Sequence, residues 1–387
     1  MTVDSRFTRR TALLSAAGVA VAAGLPGGAL AGAHGSCAPL WKTALRRGIV
    51  FGTAFSTRLA EDADYVRLVD REAALLFTED DLLWYKLKPT PESDLDFSYA
   101  DQLMAFAHQH RQLVFGAHLV WDEGFGEGWG DELWELSEED ARELMLDTVT
   151  RVVSRYRNRV VGWIVVNEAI DAHTEDGLRT DVPWYATIGP SYVAEAFHAA
   201  RAADPHATLV LNEFGFETDA EFDTAADRRR NALKVIDALL ADDVPLDAFG
   251  IQGHLHAAGF AQAFDAKAYR RFLRDLADRG LKILITEVDV LDDDLPADNR
   301  VRDRAIAEAY KRYLDVTLTE PAVKSVMTFG LSDRYTWLQE DYPREDGAPR
   351  RPLPFDDQLQ PKPAYHALQR SLDRARERRL LWRLRRG

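Results

Sequence analysis

Three apolar runs in the sequence each end in polar or ionisable side chains. Val165-Val166-Asn167-Glu168 ends in an amide and a carboxylate, Ile285-Thr286-Glu287 ends in a second carboxylate, and a third run ends at Gln252 and His254. Burying a polar group at the end of an apolar run costs free energy unless another group binds it. These positions are therefore candidates for a functional site.

Paired carboxylates across a cleft can hydrolyse glycosidic bonds. One carboxyl must be protonated to donate to the leaving oxygen, and the other must be ionised to attack the anomeric carbon. Like charges at close range raise the pKa of one partner, so that a pair can divide these roles. A separation of about 5–5.5 Å would give a retaining reaction, and about 6.5–9.5 Å an inverting one. Alternatively, the two glutamates have a structural role rather than a catalytic one, and Glu168 and Glu287 each pair with an arginine or lysine of the fold.

The spacing of the apolar runs predicts the elements that position these groups. Eight short runs rich in Val, Ile and Leu alternate with segments of helical periodicity, which is typical of parallel βα units. The predicted strands are 49–54, 74–77, 113–119, 161–167, 208–212, 248–255, 282–287 and 323–329. The predicted helices are 99–110, 138–156 with Ser137 as its cap, 191–204, 225–240, 266–279 and 299–318.

This alternation predicts an α/β fold, a single (β/α)8 TIM barrel, rather than an open sheet. The 387 residues contain no Ser/Gly/Pro-rich linker in the middle, which favours one catalytic domain. Active sites of such barrels lie at the C-terminal ends of the strands. Glu168 after strand four and Glu287 at the end of strand seven would therefore face each other across the barrel mouth.

The residues around the two glutamates resemble the signatures of a known family. Residues 162–169, GWIVVNEA, resemble the acid/base signature of glycoside hydrolase family 10, the endo-β-1,4-xylanases, and residues 285–289, ITEVD, resemble its nucleophile signature. The resemblance covers about residues 45–372. Further segments match in order, at 116–121, 182–185, 211–213, 250–255, 333–337 and 360–365.

The resemblance implies roles for individual side chains. Glu168 would be the acid/base, and Glu287 would be the nucleophile that forms a covalent glycosyl-enzyme. Asn167 would bind the sugar 2-hydroxyl, and His254 would hold the nucleophile, with Gln252 lining the same subsite. Trp337 would stack on a sugar face. The substrate-binding residues that the resemblance implies are Asn167, Gln252, His254, Trp84, Trp121, Trp337 and Glu79.

The family pattern breaks after strands two, three and eight. Asp80 and Leu83 replace an asparagine and a lysine, and Phe329 replaces a tryptophan. The family's Gly-His-Thr-Leu-Val-Trp-His reads GAHLVWD here, so both histidines are expected to be lost, to Ala117 and Asp122. Each lost donor to a sugar hydroxyl costs about 1–3 kcal/mol. The sugar on the non-reducing side is therefore expected to differ from xylose.

Three functions remain open on these residues. The first is a xylan-type endo-β-1,4-glycanase, and the second is the same mechanism acting on a bacterial exopolysaccharide with a hexose-containing β-1,4 backbone. The third is a non-catalytic carbohydrate-binding barrel, which the retention of Asn167, Glu168, His254 and Glu287 argues against. No cofactor or metal is expected, because phosphate-loop, serine-elbow and zinc-helix motifs are missing and His254 and His256 lack a third ligand.

Composition limits the partners. The formal net charge of −15 argues against nucleic acid, which requires a basic face. A polysaccharide or oligosaccharide substrate fits better, and we expect a monomer without a membrane span.

The two ends of the chain carry separate signals. Arg9 and Arg10 precede a weakly hydrophobic stretch rich in Ala and Gly, which predicts a twin-arginine signal at 1–33 and a periplasmic or secreted protein. The lone Cys37 excludes an intramolecular disulfide. The barrel is expected over 41–372, followed by a basic tail at 373–387. That tail is either a solvated extension of the last helix or a surface for anionic polysaccharide or lipid headgroups.

Overall fold

The computed structural model describes residues 38–384. The predicted signal at 1–33 and Cys37 lie outside the described residues. Within residues 38–384, no helix is both long enough and apolar enough to cross a bilayer.

The described strands form a closed parallel barrel. Each strand pairs in parallel with its neighbours, β1 closes the barrel by pairing with β9, and β6 pairs directly with β8. The predicted (β/α)8 fold is confirmed. The strands are β1 Val50–Phe55, β2 Leu75–Thr78, β3 Leu113–Gly116, β4 Val160–Asn167, β5 Thr208–Glu213, β6 Ala248–Ile251, β7 His254–His256, β8 Lys282–Leu291 and β9 Val323–Thr328.

Three strand boundaries differ from the prediction by more than one residue, all of them near the barrel mouth. The predicted strand 248–255 is interrupted at Gln252-Gly253, where Gly253 has φ +80°, a left-handed conformation that glycine adopts without strain. The short β7 then pairs with the outer part of β8, which continues past Glu287 to Leu291. Strand β3 ends at Gly116, before the cis peptide bond between Ala117 and His118.

Helices surround the barrel, and all six predicted helices are present. The Ser137 hydroxyl accepts from the Asp140 N–H at 3.1 Å, the predicted cap of α6. Short 3-10 helices lie at Thr57–Glu61, Glu127–Trp129 and Asp333–Tyr335. The α-helices are α1 Leu40–Leu45, α2 Ala63–Glu72, α3 Trp84–Leu87, α4 Ser98–Gln109, α5 Glu132–Glu135, α6 Glu138–Arg155, α7 Pro183–Ile188, α8 Tyr192–Ala203, α9 Ala225–Ala241, α10 Phe260–Ala263, α11 Ala266–Asp278, α12 Asn299–Thr317, α13 Leu338–Asp341 and α14 Pro363–Arg374.

The C-terminal segment closes the lower end of the barrel. The chain leaves α14 at Ala375, and Trp382, only 8% exposed, packs 5.8 Å from the Phe115 ring in the barrel interior. The indole Nε1 donates to Thr208 Oγ1 at 3.1 Å, at the beginning of β5. The expectation of a solvated helical extension is therefore wrong at this residue, because Trp382 seals an apolar opening that the strand pattern alone does not reveal.

Candidate active site

Local irregularities aim the two glutamates into the barrel mouth. Glu168 directly follows β4 and has φ +56°, a conformation that a non-glycine residue keeps only when its surroundings hold it. Its backbone N–H donates to the Asn212 carbonyl at 3.0 Å. Glu287 lies in β8 where the register against β9 shifts between Ile285 and Val288. Such shifts re-aim side chains near active sites, and both carboxylates are buried.

Three amide side chains join the two carboxylates in one hydrogen-bonded cluster. Gln252 Nε2 donates to Glu168 Oε1 at 2.8 Å and lies 3.5 Å from Asn167 Oδ1. Asn212 Nδ2 lies 2.9 Å from the same Asn167 oxygen and 2.8 Å from Glu287 Oε1. The glutamates, 119 positions apart in the chain (287 − 168), are thus linked through shared amides.

Two imidazoles surround Glu287. His254 Nε2 lies 3.4 Å from Glu287 Oε2, and His118 Nε2 lies 3.8 Å from Oε1. Burial would raise the pKa of Glu287, but its contacts with His118 and His254 lower it well below its usual value. This carboxyl is therefore ionised, as a nucleophile requires.

His254 is itself held by a carboxylate behind it. Its Nδ1 lies 2.7 Å from Asp289 Oδ1, and the other Asp289 oxygen accepts from Trp337 Nε1 at 2.8 Å. Burial lowers the pKa of His254, but Asp289 and Glu287 outweigh it and raise the pKa to about 10. The role of His254 in holding the nucleophile thus has a structural basis in an ordered Trp337–Asp289–His254 relay of hydrogen bonds.

Neutral side chains donate to both oxygens of the Glu168 carboxylate. Gln252 contacts Oε1 and Trp121 Nε1 donates to Oε2 at 3.2 Å. The guanidinium of Arg179 reaches only the Glu168 backbone carbonyl, at 3.2 Å. Gln252 therefore contacts the predicted acid/base directly, rather than lining the nucleophile's subsite alone.

Several buried polar atoms at this cluster lack a hydrogen-bond partner of good geometry among the described residues. They are Asn167 Nδ2, both ring nitrogens of His118, His254 Nε2 and Glu287 Oε2. Leaving such atoms unsatisfied is costly, and a ligand rich in hydroxyl groups would satisfy them. Within residues 38–384, no three His, Cys, Asp or Glu side chains are grouped to hold a metal ion.

The expected loss of a histidine at Ala117 is corrected by the structure. Ala117 packs into the apolar barrel interior, while the next residue, His118, presents its ring to Glu287. In the family's Gly-His-Thr-Leu-Val-Trp-His pattern, His118 aligns with the threonine. The site therefore keeps an imidazole on this side, displaced by one residue along the chain.

Trp84, predicted to bind substrate, is buried beneath the rim of the barrel mouth. The side chain is 1% exposed, and its Nε1 donates to the Leu119 carbonyl at 3.1 Å. Its ring packs against the rings of Phe125, Trp129 and Trp184. Trp84 thus packs beneath the loops of the rim, and its contact with substrate stays a prediction.

The remaining predicted residues lie around the mouth. Trp337 is partly exposed and packs against the rings of His254 and Phe329, with centroids 5.4 Å and 6.0 Å away. Glu79, 13% exposed at its side chain, is paired with Arg58 Nη2 at 2.8 Å. Burial raises the pKa of Glu79 to about 7, against the effect of Arg58.

Sequence reasoning missed Asn212, Asp289 and the pair of Asp122 with Arg179. Asn212 is the polar end of an apolar strand, the same signal that identified Glu168. Asp289 lies two residues after Glu287 and so shares its face of the strand. Arg179 lies in a loop, where no periodicity marks it.

Comparisons with known proteins show which sequences and folds the chain is similar to. Native xylanase 10B from Thermotoga maritima is 28% identical, with a TM-score of 0.75 over 87% of this chain and 98% of that one. Xylanase 10B from Thermotoga petrophila RKU-1 in complex with xylobiose is 27% identical, with a TM-score of 0.76 over 88% and 99%. Endo-1,4-beta-xylanase B of Thermotoga neapolitana is 30% identical over 319 residues, 81% of this chain and 85% of the relative. The sequence model of glycosyl hydrolase family 10 matches residues 40–371, and the chain belongs to that family.

Proposed function

We propose that this protein is a retaining endo-β-1,4-glycanase of the xylanase type, with Glu287 as nucleophile and Glu168 as general acid/base. The observation that carries the proposal is the unequal environment of two carboxylates within one cluster. Histidines hold Glu287 in its ionised form, while Glu168 receives neutral amide and indole donors. Two carboxyls with divided environments are what double displacement needs.

The reaction proceeds in two steps. In the first, a Glu287 oxygen bonds to the anomeric carbon as the glycosidic C–O bond breaks, and Glu168 gives its proton to the leaving oxygen. In the second, Glu168 takes a proton from water, the water oxygen bonds to the same carbon, and Glu287 leaves as a carboxylate. Asn167 Nδ2, which has no hydrogen-bond partner in the described structure, is available to donate to a sugar hydroxyl beside the reacting carbon.

Xylan is the substrate class that we favour. The three similar proteins described above are xylanases by name, and one of the two structures is a complex with xylobiose. His118 supplies an imidazole where the sequence alone suggested its loss. The alternative substrate is an exopolysaccharide with a hexose-containing β-1,4 backbone. The departures from the family pattern that still favour it are Leu83 and Phe329. Leu83 lies on the side of Trp121, since both side chains lie beside Gly124 in the loop after β3.

Substrate screening tests the proposal. The purified full chain is incubated with unsubstituted xylan, mixed β-glucans and acidic exopolysaccharides, and new reducing ends are measured against Glu287→Gln as the blank. We expect release of oligosaccharides, with xylan the best substrate. Cleavage confined to an exopolysaccharide would favour the alternative, and no cleavage of any β-1,4-glycan would refute the proposed function.

We also propose that the protein is exported by the twin-arginine pathway to the periplasm or the medium. The support is the Arg9-Arg10 pair and the weakly hydrophobic stretch after it. In cells that express the full chain, Arg9→Lys with Arg10→Lys should leave the folded precursor in the cytoplasm. An unchanged exported yield would overturn the proposal. The monomeric state stays a prediction.

A further inference from the structure

An ion pair beside Glu168 has no part in the two steps above. Asp122 follows Trp121 in the loop after β3, and Arg179 lies in the loop after β4. Arg179 Nη2 lies 2.9 Å from Asp122 Oδ2, and Nη1 lies 3.3 Å from Oδ1, so the contact is bidentate. The side chains are only 14% and 10% exposed. Asp122 is also one of the departures from the family pattern, which has histidine there.

The pair is joined to Glu168 on two sides. Arg179 Nη1 donates to the Glu168 carbonyl at 3.2 Å, and the Arg179 backbone N–H donates to the Ala169 carbonyl at 2.7 Å. Trp121, the residue before Asp122, donates to the Glu168 carboxylate. Trp121 therefore fixes the side chain of Glu168. Asp122, the next residue, acts through Arg179 to fix the Glu168 backbone at φ +56°.

The charges of Asp122 and Arg179 have opposite effects on the ionisation of Glu168. Burial raises the pKa of Asp122, Arg179 lowers it, and the nearby charge of Glu168 raises it again. Since that repulsion is mutual, Asp122 favours the protonated form of Glu168, whereas the positive charge of Arg179 favours the ionised form. The arginine that fixes the backbone would thus work against a proton donor if it were not neutralised.

We propose that Asp122 and Arg179 are positioning residues for the acid/base, and that Asp122 neutralises Arg179 so that Glu168 stays protonated through the pH range of catalysis. This inference rests on the proposed function, in which Glu168 donates a proton. Charged groups near Glu168 also include Glu213 with its partner Arg228, and the amide cluster links Glu168 to Glu287, which His118 and His254 contact.

The test is the pH dependence of kcat/KM on an aryl xylobioside with a poor leaving group, whose basic limb reports loss of the acid's proton. Asp122→Asn should move that limb to lower pH by about one unit, because a negative charge is removed and Arg179 is left unbalanced. Arg179→Gln should move it to higher pH, because Asp122 is then unopposed. Shifts of opposite sign are a signature that a merely structural defect would not give.

Matched variants separate charge from folding. Asp181→Asn removes the other partner of Arg179, 63% exposed and 3.2 Å from Nε, and should shift the limb by less than about 0.3 unit. Arg179→Lys and Asp122→Glu keep the charges and should keep the limb while kcat falls. A dinitrophenyl leaving group, which needs little acid help, should weaken all effects on kcat/KM.

Two results would overturn the inference in distinguishable ways. Wild-type hydrolysis with unmoved or same-direction shifts in Asp122→Asn and Arg179→Gln would refute the positioning role while leaving the proposed function intact. A wild type that hydrolyses no β-1,4-glycan would refute the proposed function, and the inference with it.

Discussion

Charge at single residues divides the work between the two glutamates. Glu287 lies between two imidazoles, one of them backed by Asp289, whereas the carboxylate of Glu168 accepts from Gln252 and Trp121. A nucleophile must be ionised before substrate binds, and an acid must carry a proton until the bond breaks. The difference lies in the neighbours, since both residues are glutamates in equally buried positions.

This division predicts different defects for the two amide variants. Glu287→Gln should abolish hydrolysis of every substrate, because no covalent intermediate can form. Glu168→Gln should lower kcat/KM on xylan by roughly 10²–10⁴-fold, yet keep a fast first step on a dinitrophenyl glycoside, which leaves without protonation. Burst kinetics on that glycoside provide the measurement. An equal loss of the burst in both variants would mean that the two roles are assigned wrongly.

Leu83 is the residue at which selectivity for xylose should be adjustable. A lysine there would regain a donor for sugar hydroxyls, so Leu83→Lys should raise kcat/KM on xylo-oligosaccharides by about tenfold, or about 1.4 kcal/mol of transition-state binding. Leu83→Met, similar in size and uncharged, serves as the control. No gain in the lysine variant would show that other side chains already supply this contact. Ala117→His is not an equivalent change, because Ala117 packs in the barrel interior.

Individual elements show which features were predictable from sequence. The strands and the six long helices follow from local apolar periodicity, and the polar residues Asn167 of β4 and Glu287 of β8 follow from the same runs. The displacement of His118 was not predictable, because a one-residue offset changes which side chain faces the site. Nor was the burial of Trp84 and Trp382, since both depend on contacts with distant loops and strands. A motif match identifies a residue but not its exposure.

The segment after α14 should act as a plug for the barrel. Trp382→Ala removes a buried indole and the donor to Thr208, and should lower the free energy of unfolding by about 3–5 kcal/mol. Activity per folded molecule should not change, because Trp382 lies at the end opposite the glutamates. Denaturant unfolding of this variant, with exposed Arg379→Ser as control, measures the effect. Equal stability of the two variants would argue that the plug contributes nothing.

The loop that follows β8 depends on a buried charge cluster. Asp292 accepts from Arg302 at 2.8 Å and from Arg350 at 3.0 Å, and these arginines are 1% and 3% exposed. Asp292→Asn removes the carboxylate that pairs with buried Arg302, while Arg350 keeps its pair with Asp293, and should cost about 3–5 kcal/mol of stability. Asp147→Asn, which breaks an exposed pair with Arg151, should cost less than about 1 kcal/mol. Similar losses in thermal or denaturant unfolding would contradict this ranking.

At the scale of the whole molecule, chemistry and closure lie at opposite ends of one barrel. The C-terminal strand ends carry the carboxylates, the imidazoles and the amides, and the N-terminal ends are sealed by Trp382. This arrangement is general among βα barrels, in which loops at one end carry function and the other end provides stability. The fold class was therefore the most predictable feature, whereas the plug was the least.

The most direct measurement of the central claim is identification of the covalent intermediate. A 2-deoxy-2-fluoro xylobioside with an activated leaving group forms the glycosyl-enzyme but slows its hydrolysis, so intact mass and peptide mapping can locate the sugar. A single adduct on the peptide that contains Glu287, absent in Glu287→Gln and formed in Glu168→Gln, is the predicted result. An adduct on Glu168, or hydrolysis with inverted anomeric configuration and no adduct, would contradict the assignment of nucleophile and acid/base.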